Sequence, residues 1–369
     1  MTKKLLAALL SAMMLCLFMP MMVSAAPVDI TADFTDPNFK AAVYLHIGKT
    51  APAPIYDTDA ANVDSLYMYE RNIKNLEGLE HFTNLEYLSC GSNQLASLPV
   101  LPSSLTTLYC SRNDLTSLPA LPSSLTEIDC SNNKLISLPT LPPYLTTLYC
   151  ERNKITSLPG LPYYLETLYC AGNKLTALPT LRASLKYLSC GSNKLTALPA
   201  LPASLEYLFC STNNLTSLPA LPSSLQELQC DYNQLTSLPK LPADLGTLDC
   251  SDNQLTTIDV TGPSLNELYC QRNNMPNKSA VIGFSGTWGA EWSARFVFEP
   301  QNVPQTPPTT KPTTPPTTKP TTPATQPTTK PTTKPTQPTT PVKPAEPSFF
   351  AKVWAFIVKW ILFGWLWNK

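Results

Sequence analysis

Ten cysteines recur every twenty residues, from Cys90, Cys110 and Cys130 onward to Cys270, and such residues could form disulfides, hold a metal or act as nucleophiles. An even cysteine count in an exported chain usually means disulfides. The spacing argues otherwise. Side chains on neighbouring parallel strands point the same way, so successive Cβ atoms stand about 4.7–4.9 Å apart. A disulfide needs roughly 3.5–4.5 Å. A single-file ladder also lacks the C-x-x-C spacing and converging ligands of a zinc site. A catalytic thiol needs a base and some exposure, and these have neither. The ten therefore read as a column of small buried hydrophobes, implying a reducing habitat or burial tight enough to protect thiols.

Other chemistry is thin. His46 and His81 lie near the N-terminal end without triad or metal-ligand spacing around them. Asp57, Asp59 and Asp64 lack the glycine and terminal glutamate of a calcium-binding EF loop. With 26 basic and 26 acidic residues, formal net charge is zero, so nothing draws the chain generally toward nucleic acid. No catalytic residue, metal site or cofactor is assigned. The sequence points to a binding protein rather than an enzyme.

The elements that position these residues follow from one repeat. From Leu85 the text recurs as L-x-x-L-x-C-x-x-N-x-L-x-x-L-P-x-L-P-x-S, ten times without insertion, with asparagines from Asn93 to Asn273. Leu88 and Cys90 alternate with Tyr87, Ser89 and Gly91, which predicts a short strand with Leu and Cys inward. Leu95, Leu98 and Leu101 add inward contacts on the return leg. Pro99 and Pro102 forbid a helix there and favour extended, polyproline-like backbone. One repeat buries too little apolar surface to offset ordering its own chain, so neighbours must stack. The expected product is a curved solenoid, with parallel strands on the concave face and no helices in the repeats. The asparagine suits a buried amide that satisfies backbone groups where the strand ladder ends.

These motifs closely resemble bacterial leucine-rich-repeat proteins, in the short variant with L-P-x-L-P. The resemblance runs from about Val63 to Asn274, and it implies a leucine-rich-repeat horseshoe. The stretch Asn75-Leu76-Glu77-Gly78-Leu79, then His81-Phe82-Thr83-Asn84-Leu85, is similar to the opening segment of internalin-like surface proteins. Gram-negative effectors sharing the repeat sometimes carry a cysteine ubiquitin-ligase domain, but nothing after Pro300 has the composition to fold into one.

Six segments are expected. Residues 1–25 read as a signal peptide, with Lys3 and Lys4 before an apolar run and Val23-Ser24-Ala25 at the cleavage site; Cys16 leaves a lipoprotein anchor as an alternative. Residues 26–84 form an N-terminal cap with an irregular first repeat, Leu66, Met68, Ile73, Leu76 and Leu79 pointing inward. Its helix starts at Asp36-Pro37 and stops at Gly48. Residues 85–274 are the ten repeats, and 275–300 a C-terminal cap closed by Trp288, Trp292, Phe296 and Phe298. Residues 301–348 are a Pro/Thr-rich stalk that cannot form a core. Residues 349–369 are an apolar helix that spans or lies on a membrane, interrupted by Lys352 and Lys359. Two departures, Arg182 and Ile258-Asp259-Val260-Thr261-Gly262, fall on the convex side.

The candidate ligand-binding residues are Tyr149, Tyr169, Tyr187, Tyr207 and Phe209, clustered outward in the middle of the concave face. Glu127 and Asp129 flank them on one side, and Glu227, Asp231 and Asp249 on the other. Lys134, Lys154, Lys174 and Lys194 form a basic edge. Tyrosine also suits strands for its own sake, whereas exposed aromatic patches mark interaction sites. The expected role is protein–protein binding or adhesion at the cell surface, with the C-terminal segment as membrane anchor. A glycan-binding module and a structural envelope component without a specific ligand are the alternatives.

Overall fold

The computed structural model describes residues 26–283 and 295–302. The expected signal peptide, membrane helix and cap tryptophans Trp288 and Trp292, and the expected stalk after its first two residues, lie outside the described residues. The repeats give one twelve-stranded parallel sheet. Its strands are β1 (Ser65–Tyr67), β2 (Tyr87–Ser89), β3 (Thr107–Tyr109), β4 (Glu127–Asp129), β5 (Thr147–Tyr149) and β6 (Thr167–Tyr169). They continue as β7 (Tyr187–Ser189), β8 (Tyr207–Phe209), β9 (Glu227–Gln229), β10 (Thr247–Asp249), β12 (Glu267–Tyr269) and β14 (Arg295–Val297). A separate pair, β11 (Ile258–Asp259) with β13 (Val281–Ile282), lies off this ladder. The repeats contain no helix; the N-terminal cap contributes Pro37–His46 and Asp57–Ala61.

Leu88 at the centre of β2, and Cys90 just after it, are fully buried, as are their equivalents through Leu268 and Cys270. Leu85 and Leu95 close the same core from either side. Register is residue for residue between adjacent repeats, Leu88 on Leu108 and Tyr149 on Tyr169. Each side chain therefore stacks on its own equivalent, and the sequence period becomes a spatial column.

The asparagines tie these columns together. Asn153 accepts the Leu135 N–H at 3.0 Å and donates to the carbonyls of Cys130 (3.0 Å), Cys150 (3.1 Å) and Glu151 (3.3 Å). One amide thus satisfies backbone groups in its own rung and the one before. The residue preceding it is in the left-handed region in every repeat, as at Arg112 (φ 53°) and Thr212 (φ 56°), and only Gly172 relieves the steric cost of that turn. The asparagine bonds hold ordinary side chains in a conformation they disfavour.

The helix Pro37–His46 forms as its sequence requires. Asp36 accepts the N–H groups of Asn38 and Phe39, proline fills the first turn, and Gly48 follows in the left-handed region. Phe34, Phe39 and Phe82 pack edge-on at 5.5 and 6.1 Å and cover the first rung. His46 joins helix to sheet: Nδ1 donates to Ala42 O at 2.8 Å, so Nε2 accepts the Tyr67 N–H at 3.0 Å. That bond occupies a donor on the open edge of β1.

The other end differs from the sequence expectation. The segment read only as an aromatic closing cap also extends the ladder through β14, which pairs with β12. Phe296 and Phe298 take the Leu and Cys positions, and Gln301 takes the asparagine's. Gln301 accepts the Met275 N–H at 3.4 Å and donates to Cys270 O at 3.1 Å and to Phe298 O. Gln301 and Asn302 together hold the backbone of the last full repeat. The expected interruption at Ile258–Gly262 is likewise more than a missing proline leg, because Ile258 and Asp259 make β11. At Arg182, the side chain donates from Nε to Leu161 O.

Asn153→Ala leaves one N–H and the contacted carbonyls without their amide. Unsatisfied buried groups cost roughly 1–3 kcal/mol each, so a loss of about 2–4 kcal/mol is expected in chemical denaturation. Lys154→Ala, exposed next door, should stay within about 0.5 kcal/mol. Gln301→Ala should instead raise hydrogen exchange locally at residues 295–302, with little effect on the central rungs.

Candidate binding face

Strand alternation turns the first and third residues of each strand away from the core, and from β3 to β10 and in β12 both positions are half-buried rather than bare, as the parallel neighbours shield their flanks. Tyr149 and Tyr169 are register partners with ring centroids 5.1 Å apart at 39°. Tyr187 and Tyr207 are register partners stacked at 4.6 Å and 4°. Phe209 follows Tyr207 on the same face of β8, opposite Ser189. The five residues thus occupy four consecutive strands in two columns. Burial raises the Tyr149 and Tyr169 phenols above their ordinary range, with nearby carboxylates adding to it, so both remain neutral hydroxyls.

The half-burial gives these rings a structural part as well. Paired aromatic rings contribute about 0.5–1.5 kcal/mol beyond area burial, so the tyrosines support the stack as well as facing outward. The aromatic column also begins earlier than expected. Tyr67 and Tyr87 meet at 4.9 Å and Tyr87 and Tyr109 at 5.6 Å, and the Tyr109 hydroxyl donates to Glu127 at 2.7 Å.

A second aromatic group went unread in the sequence. Tyr144, Tyr163 and Tyr164 lie at the turn before β5 and β6, and are 60%, 70% and 50% exposed. Tyr164 stacks on Tyr144 at 6.0 Å and meets Tyr163 edge-on at 5.1 Å. In five other repeats a serine sits at the position of Tyr144 and Tyr164 and donates to the preceding rung, as Ser124 does to Leu105 O at 2.6 Å. The legible signal was P-P-Y-L and P-Y-Y-L standing where three other repeats read P-S-S-L.

Glu151, two residues past Tyr149, is the most perturbed carboxyl on this face. Its Oε2 is buried without a hydrogen-bond partner among the described residues. Burial pushes its pKa up to about 7, and Asp129 adds to the rise. Burial also raises Glu227 and Asp231. On the basic edge, Lys134 pairs with Asp114 at 2.7 Å, and Lys154, Lys174 and Lys194 are exposed.

The cysteines are free thiols with no exposure. Cys130 Sγ donates to Tyr149 O at 3.4 Å. Burial raises the Cys90 and Cys190 thiols to about 12, which removes the thiolate that metal binding or nucleophilic attack requires. Of the acidic trio, the Asp57 and Asp59 carboxylates are occupied locally. Asp59 accepts from Tyr56 N and pairs with Lys49, Asp57 accepts the Val28 and Thr58 N–H groups, and the Asp64 carbonyl accepts from Glu86 and Tyr87. His81 pairs with Asp33 at 2.8 Å. Among the described residues, no three metal-ligating side chains converge.

This register-stacked ladder of leucine, cysteine and asparagine is a leucine-rich-repeat solenoid, and its structural neighbours are bacterial leucine-rich-repeat proteins. YopM of Yersinia enterocolitica superposes with a TM-score of 0.56 at 38% identity, over 58% of this chain and 48% of that one. YopM of Yersinia pestis, a leucine-rich effector protein, gives 0.51 at 40% identity over 53% and 56%. InlJ of Listeria monocytogenes, whose functional domain includes a cysteine ladder, gives 0.54 at 28% identity over 68% and 58%. The match thus spans roughly half of each of these proteins. No protein-family model matches the chain, and no curated protein matches it in sequence.

Two outcomes follow. The native protein should leave its ladder thiols unreacted with a thiol reagent, while anaerobic denaturation should release ten from Cys90 to Cys270; intact disulfides among them would contradict the ladder. For Glu151, the folded pKa lies above its ordinary 4.5. Between 4.5 and about 7 the unfolded chain releases a proton that the folded chain keeps, so stability falls as pH rises through this window and the penalty is complete above it. Glu151→Gln should therefore stabilise by about 1–3 kcal/mol at pH 8 and change little at pH 4. A gain independent of pH would show that the carboxyl is not perturbed in this way.

Proposed function

We propose that this chain is an exported, surface-held protein that binds another protein through its strand face. The observation that carries the reading is the run of Tyr149, Tyr169, Tyr187, Tyr207 and Phe209 on consecutive strands held in register. Rigid aromatic side chains there lose little entropy on binding, which is how hot spots gain their weight. The structural neighbours support an interaction module, and secreted or surface-held bacterial proteins among them support export. The mutual stacking of the tyrosines uses one face of each ring, which leaves less room for sugar stacking and favours a protein over a glycan.

The tether belongs to the same proposal. Residues 303–348 would hold the repeats away from an anchor at 349–369, Gln301 and Asn302 being bonded to the last repeat. Among the described residues no helix is long and apolar enough to cross a membrane, so this rests on the composition of the C-terminal segment alone. Deleting 349–369 should shift the protein from membrane fractions to the medium; retention on cells would contradict the anchor.

The binding claim is tested by replacing Tyr149, Tyr169 and Phe209 together with serine in the full chain. Stability should fall by about 0.5–1.5 kcal/mol as the Tyr149–Tyr169 ring pair is lost. Capture of surface proteins by the still-folded variant should weaken by at least ~2 kcal/mol, the scale of hot-spot loss. Undiminished capture would place the binding surface elsewhere.

A further inference from the structure

The charge on the strand face is segregated. Residues 87, 89 and 91 and their equivalents at twenty-residue steps, through 267, 269 and 271, include seven carboxylates: Glu127, Asp129, Glu151, Glu227, Asp231, Asp249 and Glu267. The same positions contain no lysine, arginine or histidine, in a chain whose acids and bases balance at 26 each. None of the seven takes part in an ion pair among the described residues. Their partners are neutral donors: the Tyr109 hydroxyl on Glu127, the Ser131 N–H on Asp129 and the Gln229 amide on Glu227. The Glu151 Oε2 has none. Arg152, in the turn beside Glu151, acts on it less than burial does.

Such a face keeps like charges close together without an ion pair among the described residues. Coulomb repulsion between half-buried carboxylates is a standing cost that an incoming cation converts to attraction. Tyr149 and Tyr169 stand between the acids and can meet a cation with their ring faces or edges of hydroxyl oxygen. The acids also form two groups, one at β4–β5 (Glu127, Asp129, Glu151) and one at β9–β10 (Glu227, Asp231, Asp249), with the aromatic run between them. Five strand steps of about 4.8 Å separate β4 from β9, or roughly 24 Å. An extended chain rises about 3.3 Å per residue, so about seven residues cover that span.

Resting on the protein-binding reading above, we infer that the partner meets this face with an extended basic segment carrying two lysine or arginine clusters about seven residues apart. The cations sit against the two acidic groups, and the apolar residues between them lie across the tyrosines. Nucleic acid is excluded by charge, and an acidic protein segment by the same repulsion.

The test uses the full chain and a nine-residue synthetic probe with a lysine pair at each end and five alternating valines and threonines between. The probe should bind, weakening as ionic strength rises. Lysine acetylation, closing the pairs to one-residue separation, or the combined Glu127→Gln, Asp129→Asn and Glu151→Gln substitutions should each weaken binding by at least ~10-fold. Neutralising Glu166 and Glu206, which lie just outside these positions, should change it less than about twofold. No binding of the probe, equal binding of the acetylated form, or equal dependence on Glu166 and Glu206 overturns the inference. If surface proteins are captured through Tyr149, Tyr169 and Phe209 yet the acid-neutralised variant captures them undiminished, the binding face stands and its cation preference falls. If the unaltered chain binds neither the probe nor surface proteins, both readings fall.

Discussion

The structure depends on a side-chain amide shared between two rungs. A parallel stack of three-residue strands leaves most of each repeat outside the ladder, with buried backbone groups that need partners. The asparagine makes four contacts at once, its two N–H groups shared among three carbonyls and its oxygen accepting one N–H, and it spans the boundary between repeats. Leucine and cysteine provide the apolar attraction, but that attraction is non-directional. The amide sets the register that puts Leu88 on Leu108 and Cys90 on Cys110. Its influence reaches the turn before it, where arginine, threonine and tyrosine are all held in the left-handed region.

From this constraint follows the character of the binding face. Fixed register places each outward side chain on its equivalent, so a tyrosine repeated in successive repeats becomes a ring pair, and acids from neighbouring repeats gather on one face. The same geometry explains why the face is half-buried. It supports the fold and presents chemistry together, and Glu151 shows the tension: a carboxyl that costs stability above its folded pKa stands among the residues proposed to bind.

Much of this was legible in the sequence because each repeat reports the same environment. Leucines, cysteines and asparagines at a strict period gave the core, the strands and the amide ladder, and Asp36, Pro37 and Gly48 marked the cap helix. What escaped reading lay where the period is broken or disguised. Gln301 does the asparagine's work with one more methylene, and Phe296 and Phe298 stand for leucine and cysteine, so the last rung shares almost no letters with the others. The pairing of Ile258–Asp259 with Val281–Ile282 joins two irregular segments that no repeat template aligns. Tyr144, Tyr163 and Tyr164 replace serines that pattern matching treats as filler. The half-burial of Tyr149 and Tyr169 depends on the rung separation, which alternation alone does not weigh.

Hydrogen exchange measured amide by amide on the full chain tests the shared-amide account most directly. The N–H groups of Leu115, Leu135, Ile155 and Leu175 are bonded to asparagine side chains outside any strand. They should exchange as slowly as the backbone-paired amides of Cys110, Cys130, Cys150 and Cys170, opening with them as one unit. Exchange of the leucine and isoleucine amides at the fast rate of exposed turns, while the cysteine amides stay protected, would show that the strand ladder stands without the asparagines.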